Sequence, residues 1–128
     1  MKKILIILVS ILVVAGLLFN TGCKKKAKFD ITGTWIFTIT LADESFDETY
    51  TFAGGKRSGD VYWEGQSLGT YLVTGEFIDF TLEYFYADET YVVEAYSGSF
   101  DTENQMSGGM TINISDVASA NGTWIASR

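Results

Sequence analysis

From residue 34 onward, apolar and polar positions alternate with a period of two, the repeat of a strand that shows one face to a core and the other to water. In Trp35-Ile36-Phe37-Thr38-Ile39-Thr40-Leu41 the odd positions carry Trp35, Phe37, Ile39 and Leu41, while Thr38 and Thr40 face the other way. The segment Ile78-Asp79-Phe80-Thr81-Leu82-Glu83-Tyr84 sets Ile78, Phe80, Leu82 and Tyr84 opposite Asp79, Thr81 and Glu83. The same reading predicts strands at 48–52, 57–63, 69–74, 91–100, 106–114 and 122–127, which makes eight. Between them lie Ala53-Gly54-Gly55-Lys56, Glu64-Gly65-Gln66, Gly75-Glu76, Asp101-Thr102-Glu103-Asn104 and Ala118-Ser119-Ala120-Asn121-Gly122, all rich in turn formers. Connections this short favour antiparallel neighbours, because parallel pairing needs a long crossover. Residues 112–120 read equally well as a loop or as one helical turn.

Eight short strands leave two exposed edges unless the sheet closes, and closure removes both. The expected fold is therefore all-β, an eight-stranded antiparallel up-and-down barrel. In such a barrel the first and last strands are neighbours, and Gly33-Thr34-Trp35 and Gly122-Thr123-Trp124 open those two strands. The inward set is expected to hold Trp35, Phe37, Ile39, Leu41, Tyr50, Phe52, Tyr62, Ile78, Phe80, Leu82, Tyr84, Met106, Met110 and Ile112. Gly98, Gly108 and Gly109 are expected at bends or bulges. Tyr62 and Trp63 cannot both point inward in a regular strand, so Trp63, with Tyr71, Tyr91 and Tyr96, supplies the candidate contacts to a ligand or partner.

The N-terminus breaks the pattern. Met1-Lys2-Lys3 is followed by a 16-residue apolar stretch from Ile4 to Phe19, interrupted only by Ser10 and Gly16, and then by Asn20-Thr21-Gly22-Cys23. A basic start, an apolar core and small residues at a boundary are the parts of an export signal. The stretch falls short of the roughly 20 residues that span a bilayer comfortably. Gly22-Cys23 resembles the end of a lipobox, with Asn20 standing where Leu, Val or Ile is usual. The resemblance is to bacterial lipoproteins, and it implies a signal helix over 1–22, cleavage before Cys23, and a lipidated cysteine that anchors the chain. Residues 23–30, with Lys24, Lys25, Lys26 and Lys28, then form a basic tether, solvated or lying on anionic headgroups, and 31–128 form the barrel domain. Cys23 is the only cysteine, so no intrachain disulfide exists. The expected location is a cell membrane or outer membrane, with the globular domain periplasmic or extracellular.

Charge narrows the partners. From Phe29 onward three basic residues, Lys56, Arg57 and Arg128, stand against sixteen acidic ones, a formal charge of −13 that repels nucleic-acid phosphates. The abundance of aromatic and β-branched residues separates this acidic chain from disordered ones.

Gly-x-Trp at the first strand and a basic residue near the last resemble the lipocalin-like, or calycin, group. The resemblance implies a barrel closed at one end by Gly33, Trp35 and Arg128, the guanidinium packing across the indole. Lipocalins are longer, usually carry a disulfide and place a helix beside the barrel. The Gly-Thr-Trp opening is also similar to avidin-like barrels, without their set of biotin-contacting residues.

Histidine is absent, and the one cysteine is committed to the lipobox, so His-based triads, thiol nucleophiles and Cys/His zinc sites are excluded. Asp79 and Glu83 lie about 13 Å apart on one strand face, too far for a glycosidase pair. Asp43, Glu44, Asp47 and Glu48 lack the spacing of a calcium loop and read as a charged turn. No metal, cofactor or catalytic residue is assigned. The chain is thus expected to be a non-enzymatic lipoprotein binding a small apolar or amphipathic ligand; the alternative is a structural or protein- or glycan-interaction lipoprotein with a filled barrel core.

Overall fold

The computed structural model describes residues 26–86, 90–115 and 117–128. The signal segment and Cys23 lie outside the described residues. Eight strands follow one another, β1 (Gly33–Leu41), β2 (Glu44–Gly54), β3 (Ser58–Trp63), β4 (Gln66–Thr74), β5 (Phe77–Tyr86), β6 (Thr90–Thr102), β7 (Gln105–Ile114) and β8 (Ala118–Ser127). Each pairs antiparallel with the next, and β8 returns to β1 through Ile36↔Ser127 to Leu41↔Gly122. The result is a closed up-and-down barrel with no free edge.

Two strands begin earlier than the turn residues predict. β2 starts at Glu44, because the first turn is only Ala42-Asp43 and the acidic residues after it are already in the ladder with β1. Thr38 donates to Asp47 at 2.8 Å, and the Thr40 and Ser45 hydroxyls bond at 2.8 Å, so the outer face of this pair is stitched together by side chains. β8 starts at Ala118, opposite Ile114, although 118–122 is rich in turn formers. Pairing with the far end of β7 outweighs the weak strand preference of Ala, Ser and Asn there.

Inside, the side chains form layers. Trp35, Phe100, Met106 and the incoming Ile31 close one end, and Phe37, Phe52, Phe80, Tyr96 and Trp124 fill the middle. Phe80 and Tyr96 stack at 4.4 Å with rings within 4° of parallel, and Phe37 meets Trp124 at 5.0 Å. Outward positions such as Thr34, Thr38, Thr49, Asp60, Thr70, Asp79 and Thr81 are polar, with Ile36, Phe77 and Ile125 as exposed apolar residues among them. An apolar interior with a polar exterior is the reverse of a membrane-spanning barrel.

Gly98 and Gly108 face each other across β6 and β7, and their lack of side chains is a packing requirement. A Cβ at Gly98 would stand 2.2 Å from the Ser107 carbonyl oxygen and 2.6 Å from the Trp124 ring. The close approach lets the indole lie across the two strands, with its N–H donating to the Gly109 carbonyl at 2.8 Å. Gly98→Ala should therefore lower the unfolding free energy by about 1–3 kcal/mol, the cost of overpacking, measured by urea denaturation.

Candidate functional site

The two ends of the barrel differ. At the end holding the β2–β3, β4–β5 and β6–β7 turns, residues 27–32 run across the opening. Ala27 and Ile31 are buried, Phe29 meets Phe100 at 5.2 Å, and the Lys28 amide donates to the Gly75 carbonyl at 2.8 Å. The indole N–H of Trp35 donates to the Ile31 carbonyl at 2.8 Å. Arg128 lies over that indole, its guanidinium carbon 4.4 Å from the ring centroid. Its two terminal nitrogens donate to the carbonyls of Thr32 at 3.0 Å, Asp30 at 2.7 Å and Glu103 at 2.8 Å. One planar cation thereby joins the entering chain, the floor tryptophan and the β6–β7 turn. Gly33, at φ 122°, sets the corner where the chain enters β1.

The opposite end, where β1–β2, β3–β4, β5–β6 and β7–β8 connect, holds a cavity of about 330 Å³. Six aromatic side chains stand in its wall, Phe46, Tyr50, Trp63, Tyr84, Phe85 and Tyr86, with Leu41, Leu68, Leu82 and Ile112 between them and Gln66 as the one amide. Among the described residues two carboxyl groups, Glu48 and Glu94, reach into it, and no basic side chain lines it.

Both acids sit in the apolar phase of their strands. Glu48 is opposite Phe37 and follows Phe46 on the inward face of β2; Glu94 lies between Val92 and Tyr96 on β6, opposite Leu82. Glu94 is only 8% exposed. A buried carboxylate needs hydrogen bonds, and Glu94 receives them from Tyr96 at 2.6 Å and from the Tyr84 hydroxyl. The Tyr50 and Tyr96 hydroxyls bond each other at 3.0 Å, which links the cavity wall to the barrel centre. Glu48 accepts from the Trp63 indole N–H at 2.8 Å, which fixes that ring at the rim. Burial, and then the neighbouring Glu94 charge, raise the Tyr50 hydroxyl well above the ordinary phenol value; for Tyr96 burial is followed by Tyr50 and then Glu94, and for Tyr84 burial acts with the Glu94 hydrogen bond. These hydroxyls stay protonated and remain donors throughout the physiological range.

No protein-family model matches this sequence, and no curated protein matches it. Two solved structures do. The structure of EF1p2_mFAP2b bound to DFHBI aligns with a TM-score of 0.58 at 18% identity, over 77% of this chain and 93% of its own. A redesigned β-barrel aligns with a TM-score of 0.53, also at 18% identity, over 80% of this chain and 98% of its own. What is shared is the fold.

The residues singled out from the sequence fall in three places. Gly33, Trp35 and Arg128 meet at the closed end. Trp63 lines the cavity. Tyr71 and Tyr96, expected among the outward aromatics, are buried: Tyr71 faces Phe52 at 5.4 Å and donates to the Gly55 carbonyl at 2.5 Å, while Tyr96 stacks on Phe80. Tyr91 stays outside, donating to Glu83 at 2.7 Å. The inward assignment of Tyr62 is also corrected. Val61 is fully buried and Trp63 shares its face, with Tyr62 turned outward opposite Thr51. Alternation along β3 carries Trp63 to the inner face, and an irregularity in the β3–β4 pairing, where Leu68 is passed over between Ser67 and Gly69, lets both Gln66 and Leu68 line the same space.

Glu48 and Glu94 were not singled out as a pair. The signal that reveals them is parity, an acid standing in the register of apolar neighbours. The acidic crowd at 43–48 divides between faces, Asp47 outward to Thr38 and Glu48 inward. Among the described residues no group of three or more His, Cys, Asp or Glu side chains is placed to hold a metal ion.

Proposed function

We propose that the protein is a non-catalytic envelope lipoprotein whose barrel is a packed scaffold and whose binding is done at the open end. The observation that carries this is the contrast between the filled interior and the aromatic cavity at the mouth. A ligand engulfed deep in the barrel finds no room, because the Phe37, Phe80, Tyr96 and Trp124 layer occupies the middle. A cavity of this size accepts a small molecule, or a side chain or glycan unit presented by a partner. The related barrel solved bound to DFHBI supports the view that this architecture can host a small ligand.

The lipocalin-like kinship belongs to the same proposal, supported by Gly33, Trp35 and Arg128. So does the anchor at Cys23. Four residue steps separate Cys23 from the buried Ala27, a reach of at most about 14 Å. A lipid on Cys23 would therefore hold the closed end against the bilayer and turn the cavity toward the aqueous side. The placement of charge agrees. Lys28, Lys56, Arg57 and Arg128 all lie at the closed end, interspersed with Asp30, Glu76 and Glu103, so the described basic side chains of the domain are on the side that the anchor would bring toward anionic headgroups.

In cells making the full-length protein, Cys23→Ala should abolish lipid labelling and move most of the protein out of the membrane fraction. Unchanged labelling and membrane association in that variant would overturn the anchor. Crosslinking from residues 46 and 85 at the mouth should capture the partner or ligand of the open end, and capture only from closed-end positions would reverse the assignment of the binding face.

A further inference from the structure

The open-end cavity combines three features. Its wall is rich in aromatic rings, and among the described residues it holds two inward carboxyl groups and no basic side chain. The hydrogen bonds that Glu48 and Glu94 receive come from an indole N–H and from phenol hydroxyls, which satisfy lone pairs without cancelling charge. Two acidic side chains thus stand without a described basic partner in surroundings partly withdrawn from water, where uncompensated charge is costly. Every described lysine and arginine from residue 28 onward lies at the other end of the barrel.

Resting on the reading of this cavity as the binding site, we propose that its ligand class is an organic cation, an alkylated ammonium carried on an apolar body. Aromatic faces attract a cation through their quadrupoles, most strongly when the site is desolvated. The field of two carboxylates in a low-dielectric cup adds to that attraction and repels fatty acids, phosphates and other anions. Hydrogen-bond bookkeeping narrows the class further. Both oxygens of Glu94 and one oxygen of Glu48 already accept bonds from the wall, so the site offers charge and π surface more than free acceptors. A quaternary ammonium, which has no N–H to satisfy, fits that supply better than a primary amine, which would lose hydration without full replacement.

The test uses the purified protein and three probes of nearly one shape: benzyltrimethylammonium, its neutral isostere neopentylbenzene, and the anion 3-phenylpropionate. Binding is followed by tryptophan fluorescence, with Trp63→Phe identifying the signal from the cavity, and by calorimetry. Benzyltrimethylammonium is expected to bind about tenfold or more tightly than the neutral isostere, and the anion not to bind. Glu48→Gln and Glu94→Gln, each checked for an unchanged circular dichroism spectrum, should each weaken the cation about tenfold and leave the neutral probe unaffected. Equal affinity for the cation and its isostere, or cation affinity untouched by both substitutions, would overturn the cation assignment and leave the cavity as an apolar site. Failure of all three probes to bind would overturn the small-ligand reading itself, leaving the packed scaffold with a macromolecular partner.

Discussion

Between pH 10 and about pH 12 the barrel is expected to lose about 5 kcal/mol of stability, a loss comparable with the whole folding free energy of a small domain. The cause is the pair Tyr50 and Tyr96, whose side chains are almost wholly buried and whose hydroxyls bond each other at 3.0 Å. Burial is the main reason that both hydroxyls hold their protons far above the ordinary value of 10.0, and the Glu94 charge adds to it. In the unfolded chain they ionise near that ordinary value. A raised folded-state value means that the stabilisation is fully present below pH 10 and drains away as the unfolded chain sheds its protons. Each such group costs up to about 1.4 kcal/mol per pH unit, so two groups over two units give the stated loss. Tyrosinate absorbance from these two residues should rise together with the loss of circular dichroism, and Tyr50→Phe or Tyr96→Phe should flatten the alkaline limb. A barrel that keeps its dichroism at pH 12 while all seven tyrosines ionise would contradict this account.

Trp35→Ala should remove about 3–5 kcal/mol, the range for emptying a large aromatic site in a core. Trp35 is fully buried, anchors Ile31 through its indole N–H, meets Phe100 at 6.1 Å and supplies the surface on which Arg128 rests. Removing it opens a cavity at the floor and also frees the segment that crosses the closed end. Trp63→Ala, at the rim of the existing cavity, should cost far less, because water already reaches that space. Urea denaturation of the two variants side by side checks the contrast. Similar losses for both would mean that the mouth is as tightly built as the floor.

The sequence was enough for the strand count and for closure. Period-two alternation is written into the covalent geometry of an extended chain, and the short turns leave antiparallel pairing as the only economical connection. Trp35, Phe37, Ile39, Ile78, Phe80 and Leu82 could be placed in the core for the same reason, since each strand carries its own record of which face is apolar. The limits of strands were less legible: 118–122 joins β8 only because the end of β7 offers it a partner.

The candidate site depended on information that no single strand holds. In β3, Val61, Tyr62 and Trp63 are all large enough to belong inside, and only the pairing with β2, which sets Val61 opposite the buried Phe52 and Tyr62 opposite Thr51, chooses Val61 and Trp63. Tyr71 and Tyr96 were ambiguous in the same way until the rings of Phe52 and Phe80 gave them partners. Glu48 and Glu94 lie 46 positions apart on strands that are not neighbours in the sheet, and only closure of the barrel brings both to one mouth. Alternation is a local property, so the chain by itself determined a closed β-barrel with an aromatic core. Trp35 and Arg128 could be assigned to a closed end by resemblance, but a cavity is defined by what several strands leave unfilled, and therefore only the tertiary structure decided that the opposite end is an acidic, aromatic cup.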